Sequence, residues 1–227
     1  MNPNVYSSSY DEDLRSYLLS VFNNMSLALF ISGLVSSYVG LNDNLAQAIW
    51  GTGLKWIVIF APLIMAFGLN GMINSLSATT AKIGLYVFSA LMGLSISSIF
   101  LVYQLGSILQ VFFISAATFG ATAIFGYTTK RDLSSLGSFL IMGLIGIIIC
   151  GLVNIFLQSS VFAFAISLIA LAIFIGFTAY DMQSIKETYY CSWGIDREKL
   201  GVVGALNLYL DFINIFLNML QLLGDRK

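Results

Sequence analysis

The chain has 227 residues, of which 58% are hydrophobic and only 9% are charged, and its mean hydropathy is +0.89. A soluble domain carries about a quarter charged residues, so this composition excludes a water-soluble globular protein. The formal net charge of -1 excludes a basic nucleic-acid-binding surface, and the absence of histidine removes the usual imidazole metal ligand. We expect a membrane protein without a resident cofactor.

The N-terminal segment is polar and acidic, with Asp11, Glu12 and Asp13 ahead of its single base, Arg15. A secretory signal opens with positive charge. We therefore predict that residues 1–21 form a cytoplasmic tail and that the first apolar helix is retained in the mature protein.

Seven apolar runs have the length of a membrane-spanning helix, which needs about 20 mostly apolar residues. They cover roughly residues 22–40, 54–74, 83–103, 107–128, 137–157, 161–181 and 202–223. The predicted fold class is an all-α membrane protein, with a seven-helix bundle over residues 22–223 and a C-terminal tail at 224–227. The longest polar break, residues 182–201, holds Tyr189, Tyr190 and Trp193, as is typical of an interfacial loop or a short in-plane helix.

The distribution of Lys and Arg predicts the orientation, because cytoplasmic loops are enriched in both. With the N-terminus inside and the C-terminus outside, seven bases are cytoplasmic and three are external. The seven are Arg15, Lys82, Lys130, Arg131, Lys186, Arg197 and Lys199, and the three are Lys55, Arg226 and Lys227. A re-entrant last segment would instead place both ends inside.

Small residues recur at the spacing that lets helices approach closely in lipid. They are Ser89, Gly93 and Ser97 in the third run, Ala116 and Gly120 in the fourth, and Gly143 and Gly146 in the fifth. The two cysteines, Cys150 and Cys191, fall in an apolar run and in a polar break, so we predict no disulfide between them.

Asp211 lies near the middle of the seventh run. A carboxylate at the centre of a spanning helix costs about 2.5–3.5 kcal/mol on insertion scales and usually faces a bundle interior or a water-filled path. Polar residues at 4-3-4-3 spacing, Asn207, Asp211, Asn214, Asn218 and Gln221, place it in a seam along one side of the helix. The amides are candidates to line a pore, and the alternative is that they only join helices through hydrogen bonds.

Asp181 ends the sixth run, where it is either an ordinary interfacial carboxylate or a partner of Asp211. The two can meet if the sixth helix continues beyond Asp181. Like charges about 4 Å apart at an effective dielectric of about 20 repel by about 4 kcal/mol. A pair in contact would therefore share one proton near neutral pH and titrate as a unit.

The same segments carry a family resemblance. The segment GFTAYDMQSIK (176–186) followed by ALNLYLDFINIFLNMLQLLG (205–224) resembles the signature of the Bax inhibitor-1 family, and FGYTTKRDLSSLGSFLIMGLIG (125–146) is similar to its bacterial branch. The resemblance runs from about residue 60 to the C-terminus. It implies seven helices with the last one central in the bundle, and a location in the bacterial inner membrane.

The resemblance also implies a role, because some members of the family are pH-sensitive calcium leaks. Their proton sensor is a pair of aspartates at the positions that match Asp181 and Asp211. Some members have a basic residue late in the second helix that engages one aspartate. This chain departs from that pattern: it reads GLNGMINSLS at 68–77, with neither Arg nor Lys before Lys82.

The sequence therefore favours a pH-gated leak for Ca²⁺, a hard cation that prefers oxygen ligands. Asp181 and Asp211 would bind it transiently, and the amide oxygens of Asn207, Asn214 and Asn218 would line its path. The alternative is a non-conducting regulator that binds another membrane protein, such as a membrane protease, through the acidic tail or residues 182–201. A proton-coupled exchanger is a further alternative. We expect no enzyme, because the metalloprotease, nucleophile-elbow and phosphate-loop motifs are absent.

Overall fold

The computed structural model describes residues 3–72, 76–191 and 196–227, and these residues form helices joined by short connections. In chain order the helices are α1 (Pro3–Gly40), α2 (Asp43–Trp50), α3 (Leu54–Met72), α4 (Ala78–Ile96), α5 (Ile99–Val102), α6 (Leu105–Thr128), α7 (Ser134–Leu157), α8 (Ser160–Cys191) and α9 (Arg197–Leu223). Side chains cap the starts of several helices; for example, Asn42 accepts from the Leu45 N–H and Ser77 accepts from the Thr80 N–H. The prediction of an all-α membrane protein is confirmed.

Within the described ranges, six helical segments are long and apolar enough to cross a membrane. They are Glu12–Gly40, Ala78–Val102, Leu105–Thr128, Ser134–Leu157, Ser160–Cys191 and Arg197–Leu223. A seventh span is formed by α2 together with the Leu54–Ala66 part of α3, if a bend of 81° between them is counted as a break within one span.

Helix directions in the first compact unit, which comprises residues 1–102 and 188–209, explain this bend. Asn24 of α1 accepts from the Tyr86 hydroxyl of α4 at 2.9 Å. A Cβ on Gly40, at the end of α1, would meet Phe100 at 2.7 Å. In these two contacts, the residue with the higher number in α1 meets the residue with the higher number at or after α4, so α1 and α4 run parallel.

The chain between two parallel spans has to return across the membrane. α4 has 19 residues, so its ends lie roughly 28 Å apart at a rise of about 1.5 Å per residue, close to the ~30 Å hydrocarbon thickness. α2 stays at the far end of α4, where the Trp50 Nε1 donates to the Ser97 hydroxyl at 3.0 Å. α3 makes the return path, so the described helices give seven spans when the bent pair α2–α3 is counted as one span and six when it is not.

The first half of α9 runs in the same direction as α1 in this unit. Gly201 lies against Tyr17, since a Cβ on this glycine would be 3.4 Å from the tyrosine ring. Further along both helices, the Tyr209 hydroxyl lies 2.6 Å from the Ser32 hydroxyl. The first, third and seventh spans are therefore parallel, as alternating crossings require.

The second compact unit, residues 103–187 and 210–227, contains helices of opposite direction. The Asp225 N–H donates to the Ser107 hydroxyl at 2.9 Å, and the rings of Phe119 and Phe212 are 5.7 Å apart. α6 and α9 are thus antiparallel, as expected of the fourth and seventh spans. The end of the chain is anchored to the start of α6 by an isolated bridge between Tyr103 and Arg226.

Two predicted boundaries differ from the structure. Residues 182–191 are not an interfacial loop, because α8 continues to Cys191, and only a short connection before Arg197 remains. Trp193 lies outside the described residues. α1 starts at Pro3 and its apolar segment at Glu12, whereas the sequence places the first span at 22–40. Both cysteines are free thiols, and Cys191 is exposed.

α9 is the most enclosed of the spans. In its most apolar window 67% of the residues are buried, against 44% or less in the other five single spans. The family resemblance implies a central last helix, and this burial agrees with it.

A buried hydroxyl cluster joins three helices of the first unit. The Ser32 hydroxyl lies 2.6 Å from the Tyr209 hydroxyl and within 2.8 Å of the Ser89 carbonyl oxygen. Tyr209 and Ser89 are fully buried, and the Tyr209 ring packs edge-on against Phe88 at 5.9 Å. Ser89 belongs to the small-residue face predicted on α4, and Gly93 one turn later lies against the α1 backbone at Ser32. This predicted packing face is confirmed.

We expect Tyr209→Phe to lower stability by about 1 kcal/mol, the net value of a typical hydrogen bond, or about 2–4 °C in Tm for a chain of this size. Thermal unfolding in detergent measures the change. Tyr38→Phe is the control, since Tyr38 is 71% exposed and its hydroxyl can turn to solvent. Equal effects of the two substitutions would contradict a role for the cluster.

Candidate functional site

Asp211 is a buried acid inside a membrane-spanning helix. Its side chain is only 5% exposed, and α9 continues on both sides of it, from Arg197 to Leu223. Within the part of the chain that the structure describes, its Oδ2 is the single buried side-chain nitrogen or oxygen without a hydrogen-bond partner. Buried polar atoms are nearly always paired, so this oxygen is available for a proton or a cation.

The α9 residues next to Asp211 make its surroundings apolar. Phe212 packs edge-on against Phe112 at 5.4 Å and against Phe119 at 5.7 Å, and Phe216 packs against Phe112 at 6.0 Å. These rings fill the α6–α9 interface. Such an interior has a low effective dielectric, in which charge interactions are stronger than in water.

Asp181 is half-buried on α8, in the same compact unit as Asp211. The helix does not stop at this residue, so the condition that the sequence set for an approach of the two carboxyl groups is met. Contact between the two carboxyl groups stays a prediction.

Glycines allow the neighbouring helices to lie tightly against α8 around Asp181. A Cβ on Gly126 of α6 would collide with the backbone of Ala179, and one on Gly137 of α7 would lie 2.6 Å from the Tyr180 ring. Gly143 also meets α8, at 2.9 Å from Ile173, which makes α7 and α8 antiparallel. The segment that holds Asp181 is thus fixed between α6 and α7.

The predicted glycine faces are only partly in contact. Gly143 packs as expected, but nothing lies within 4 Å of a Cβ at Gly120 or Gly146. The two closest contacts that a glycine makes with another helix, at Gly126 and Gly137, are not indicated by the sequence spacing. Spacing identifies a small face without showing whether a helix or lipid covers it.

Gln183, two residues after Asp181, is a further residue that the sequence does not single out. Its Oε1 accepts from the Leu133 N–H at 2.8 Å and its Nε2 donates to the Arg131 carbonyl at 2.9 Å. Lys186, one turn later, donates to the Tyr127 carbonyl at 3.1 Å near the end of α6. α8 thereby holds the connection between α6 and α7 with side chains close to Asp181.

We expect Gln183→Leu to speed hydrogen exchange at the Leu133 amide by about five- to tenfold, because one net hydrogen bond of about 1 kcal/mol is lost. Hydrogen-exchange mass spectrometry measures this directly. Gln221→Leu is the matched control on α9, where the side chain is exposed. Unchanged protection at residue 133 would show that Gln183 does not hold the connection.

The polar seam of α9 is enclosed at its centre and exposed at its ends. Asn207 and Gln221 are exposed, whereas Asn214 and Asn218 are half-buried. The amide nitrogens of Asn214 and Asn218 each donate at 2.8 Å to the carbonyl one turn earlier. Among the described residues, no hydrogen bond is made to the amide oxygen of either residue.

Lys82, the first base after the second span, forms an ion pair with Glu198 in the first compact unit. Residues 73–75 of the neutral stretch at 68–77 lie outside the described residues.

These features define the class: an all-α membrane protein whose described part has six to seven apolar helices able to cross a membrane, the most buried of which carries a buried acid. The family model for the inhibitor of apoptosis-promoting Bax1 matches residues 14–227, and this chain belongs to that family. The match includes most of the first span, which the sequence motifs alone did not reach.

Bacterial relatives cover nearly the whole chain. The "uncharacterized protein RP147" of Rickettsia prowazekii (strain Madrid E) is 42% identical over 223 residues, which are 97% of this chain and 94% of the relative. The "inner membrane protein YbhL" of Escherichia coli (strain K12) is 38% identical over 218 residues, 94% of this chain and 93% of the relative. An uncharacterized protein of Borreliella burgdorferi is 39% identical over 216 residues, with the same coverage of each chain.

Proposed function

We propose that this chain is a pH-sensitive calcium leak of the bacterial inner membrane, gated by Asp181 and Asp211. The observation that supports it most is the buried carboxyl of Asp211, whose Oδ2 has no hydrogen-bond partner among the described residues. A helix that only packs against its neighbours gains nothing from such a group, because Asn or Leu would avoid the cost of burying a charge.

A shared proton is the proposed switch. While one proton bridges the two carboxyl groups, they stay in contact and join α8 to α9. Once it leaves, two carboxylates roughly 4 Å apart repel by about 4 kcal/mol at an effective dielectric of about 20. That energy exceeds the value of several helix–helix hydrogen bonds, which are about 0.6 kcal/mol each on average in membranes, so the helices separate at this point.

Oxygen atoms along α9 supply the proposed ion path. Asn214 and Asn218 continue the line of Asp211 at intervals of three and four residues, and their amide oxygens are not used by the helix. Asn207 is exposed, which suits a residue that lines a water-filled path. Hard oxygen ligands of this kind favour Ca²⁺ over softer metals, and two carboxylates suit passage better than storage.

The inner-membrane location is supported by the relative YbhL, which is named for that membrane. The orientation proposed is N-inside and C-outside, from the excess of Lys and Arg on one side. Contacts within each unit join residues that this orientation places on the same side, Lys82 with Glu198 and Lys186 with Tyr127; the inverted orientation would also place each pair on one side.

Cysteine labelling checks this orientation. In a Cys150→Ala background, the exposed Cys191 is expected to react with a membrane-impermeant maleimide only after spheroplasts are permeabilised. A cysteine introduced by Lys227→Cys, after Cys191→Ala, is expected to react in intact spheroplasts. The reverse labelling pattern would show that the topology is inverted. Protection of both Cys191 and the cysteine at position 227 in intact spheroplasts would show that both chain ends are inside.

Calcium flux into liposomes tests the proposed function. The purified protein is reconstituted in vesicles that contain a calcium indicator, and the initial flux is measured at several values between about pH 5 and 8. We expect a flux above that of protein-free vesicles that changes with pH. Flux no greater than in protein-free vesicles at every pH would contradict a leak.

The alternative, a non-conducting regulator of another membrane protein, loses part of its proposed contact surface. Residues 182–191 belong to α8, and Gln183 and Lys186 already hold the α6–α7 connection. The internal contacts of these two side chains leave less of that segment for a partner.

A further inference from the structure

A polar cavity of about 370 Å³ opens at one end of the first compact unit. One face of α1 supplies Asp13, Ser16, Tyr17 and Ser20, which follow each other at helical spacing. The end of α8 and the first turn of α9 complete the lining. This end is the one that the distribution of Lys and Arg assigns to the cytoplasmic side of the membrane.

Two tyrosines form the apolar wall of the cavity. Tyr17 and Tyr189 are buried, and their ring centroids are 5.3 Å apart. Tyrosine is enriched at the level of lipid head groups, where its ring is in apolar surroundings and its hydroxyl in polar ones. The cavity therefore lies where a lipid head group can reach it.

The charges of the lining are unequally compensated. Glu198 is neutralised by its ion pair with Lys82. Arg197 packs over the Tyr189 ring at 4.5 Å and donates one N–H to its hydroxyl at 3.3 Å. Among the described residues neither Asp13 nor Arg197 has an ion-pair partner, and they do not pair with each other. The cavity offers one separate negative charge and one separate positive charge.

Two serine hydroxyls in the lining are further hydrogen-bond donors for the anionic group of a ligand. The hydroxyls of Ser16 and Ser20 have no hydrogen-bond partner in the described part of the chain, although both residues line the cavity. The N–H groups of Glu198 and Lys199 are already capped by the Asp196 carboxylate. The donors left for an anion in this cavity are therefore those of Arg197 and the two serines, and not the first N–H groups of α9.

We propose that this cavity binds a phosphoethanolamine group, a phosphate ester that carries a primary ammonium. The Arg197 guanidinium has further N–H groups to bind two phosphate oxygens at once. Asp13 accepts from the ammonium, which needs N–H donors that a trimethylated ammonium lacks, and the Tyr17 ring favours a nearby cation. The group has two sources, the head group of phosphatidylethanolamine and a free phosphoethanolamine.

Thermal stabilisation of the full-length protein in an uncharged maltoside detergent tests the proposal. The probes are short-chain phosphatidylethanolamine, phosphatidylglycerol and phosphatidylcholine, and free O-phosphoethanolamine. We expect the ethanolamine lipid to bind at least about tenfold more tightly than the other two lipids. Comparable binding of O-phosphoethanolamine assigns a soluble source, and binding of the lipid alone assigns the membrane. No stabilisation by either ethanolamine probe overturns the proposal.

Variants separate the two ends of the ligand. Arg197→Gln is expected to weaken binding of the ethanolamine lipid about tenfold or more. Arg197→Lys is expected to have an intermediate effect, because a single ammonium replaces a guanidinium that donates two parallel hydrogen bonds. Asp13→Asn is expected to remove the preference for ethanolamine over choline. Arg226→Gln, at the other end of the chain, is the control. Unchanged affinity in Arg197→Gln, at an unaltered melting temperature without lipid, would contradict the site.

Discussion

Replacing Asp211 by Asn is expected to abolish the response of calcium flux to pH while leaving the protein at least as stable as the parent. Asn has the same shape but cannot hold or release the proton, so the switch is lost. It also removes a group whose charged form costs about 2.5–3.5 kcal/mol at the centre of a spanning helix. Flux across the pH range and thermal unfolding, measured on the same preparation, give both quantities.

The double variant Asp181→Asn with Asp211→Asn is expected to behave as the single Asp211→Asn variant does, because either change breaks the same pair. A pH response that survives in the double variant would exclude these two residues as the sensor. A response lost together with a melting temperature several degrees lower would indicate misfolding, and only a loss at full stability supports the gate.

Asp132→Asn is the matched control, in the exposed connection between α6 and α7. Hydrogen bonds from the Ser134 side chain and backbone N–H lower the pKa of the Asp132 carboxyl from its ordinary value of 3.8. Because the pKa is lowered in the folded protein, these hydrogen bonds stabilise the protein at pH values above the ordinary pKa. That stabilisation is lost as the pH falls through the lowered pKa. Asp132 therefore stays ionised between about pH 5 and 8, and its substitution is expected to leave the flux profile unchanged.

Replacing Gly126 by Val is expected to lower stability by about 1–3 kcal/mol, the usual cost of overpacking a close interface. A side chain at this position would collide with the backbone of Ala179, 2.8 Å from its Cα, and a backbone cannot turn aside as a side chain can. α6 and α8 would have to separate two residues from Asp181. We expect a fall in Tm of about 2–12 °C and an altered pH profile of the flux.

Gly120→Val is the control for this substitution. It lies on the same helix and makes the same change in helix propensity, in which Val is the better helix former, but nothing lies within 4 Å of a Cβ there. A similar fall in Tm for both variants would mean that the α6–α8 contact does not set the effect.

Some of this structure is predictable from the sequence because the membrane restricts the possibilities. Hydropathy indicates the spans, since a spanning helix must be apolar over the thickness of the bilayer. The same rule singles out Asp211, an acid where nearly every neighbour is apolar. Its burial confirms that it is held inside the protein.

Hydropathy shows where an apolar run ends, but it does not show where the helix ends. Residues 182–191 are largely polar, so the sequence predicts an interfacial loop or a short in-plane helix there, yet Met182, Gln183, Lys186 and Glu187 are all good helix formers. α8 therefore continues beyond Asp181, with its polar side chains bound to the α6–α7 connection. The same reasoning applies to α1, whose helix precedes its apolar segment.

Contacts between distant residues give no signal in a single sequence. Ser32 and Tyr209 are separated by 177 positions, and each is an ordinary residue for its helix. The tight approaches at Gly126 and Gly137 are likewise hidden, because glycine is common in membrane helices and its neighbours depend on how the helices pack. The seam of α9 shows the same limit: the spacing predicts one side, but Asn207 at one end of it is exposed.

The separation of the Asp181 and Asp211 carboxyl oxygens in structures of this protein at about pH 5 and about pH 8 tests the central proposal most directly. A shared proton predicts oxygens within hydrogen-bond distance at the lower pH and several ångströms apart at the higher one. An identical separation at the two pH values would contradict a switch made from this pair.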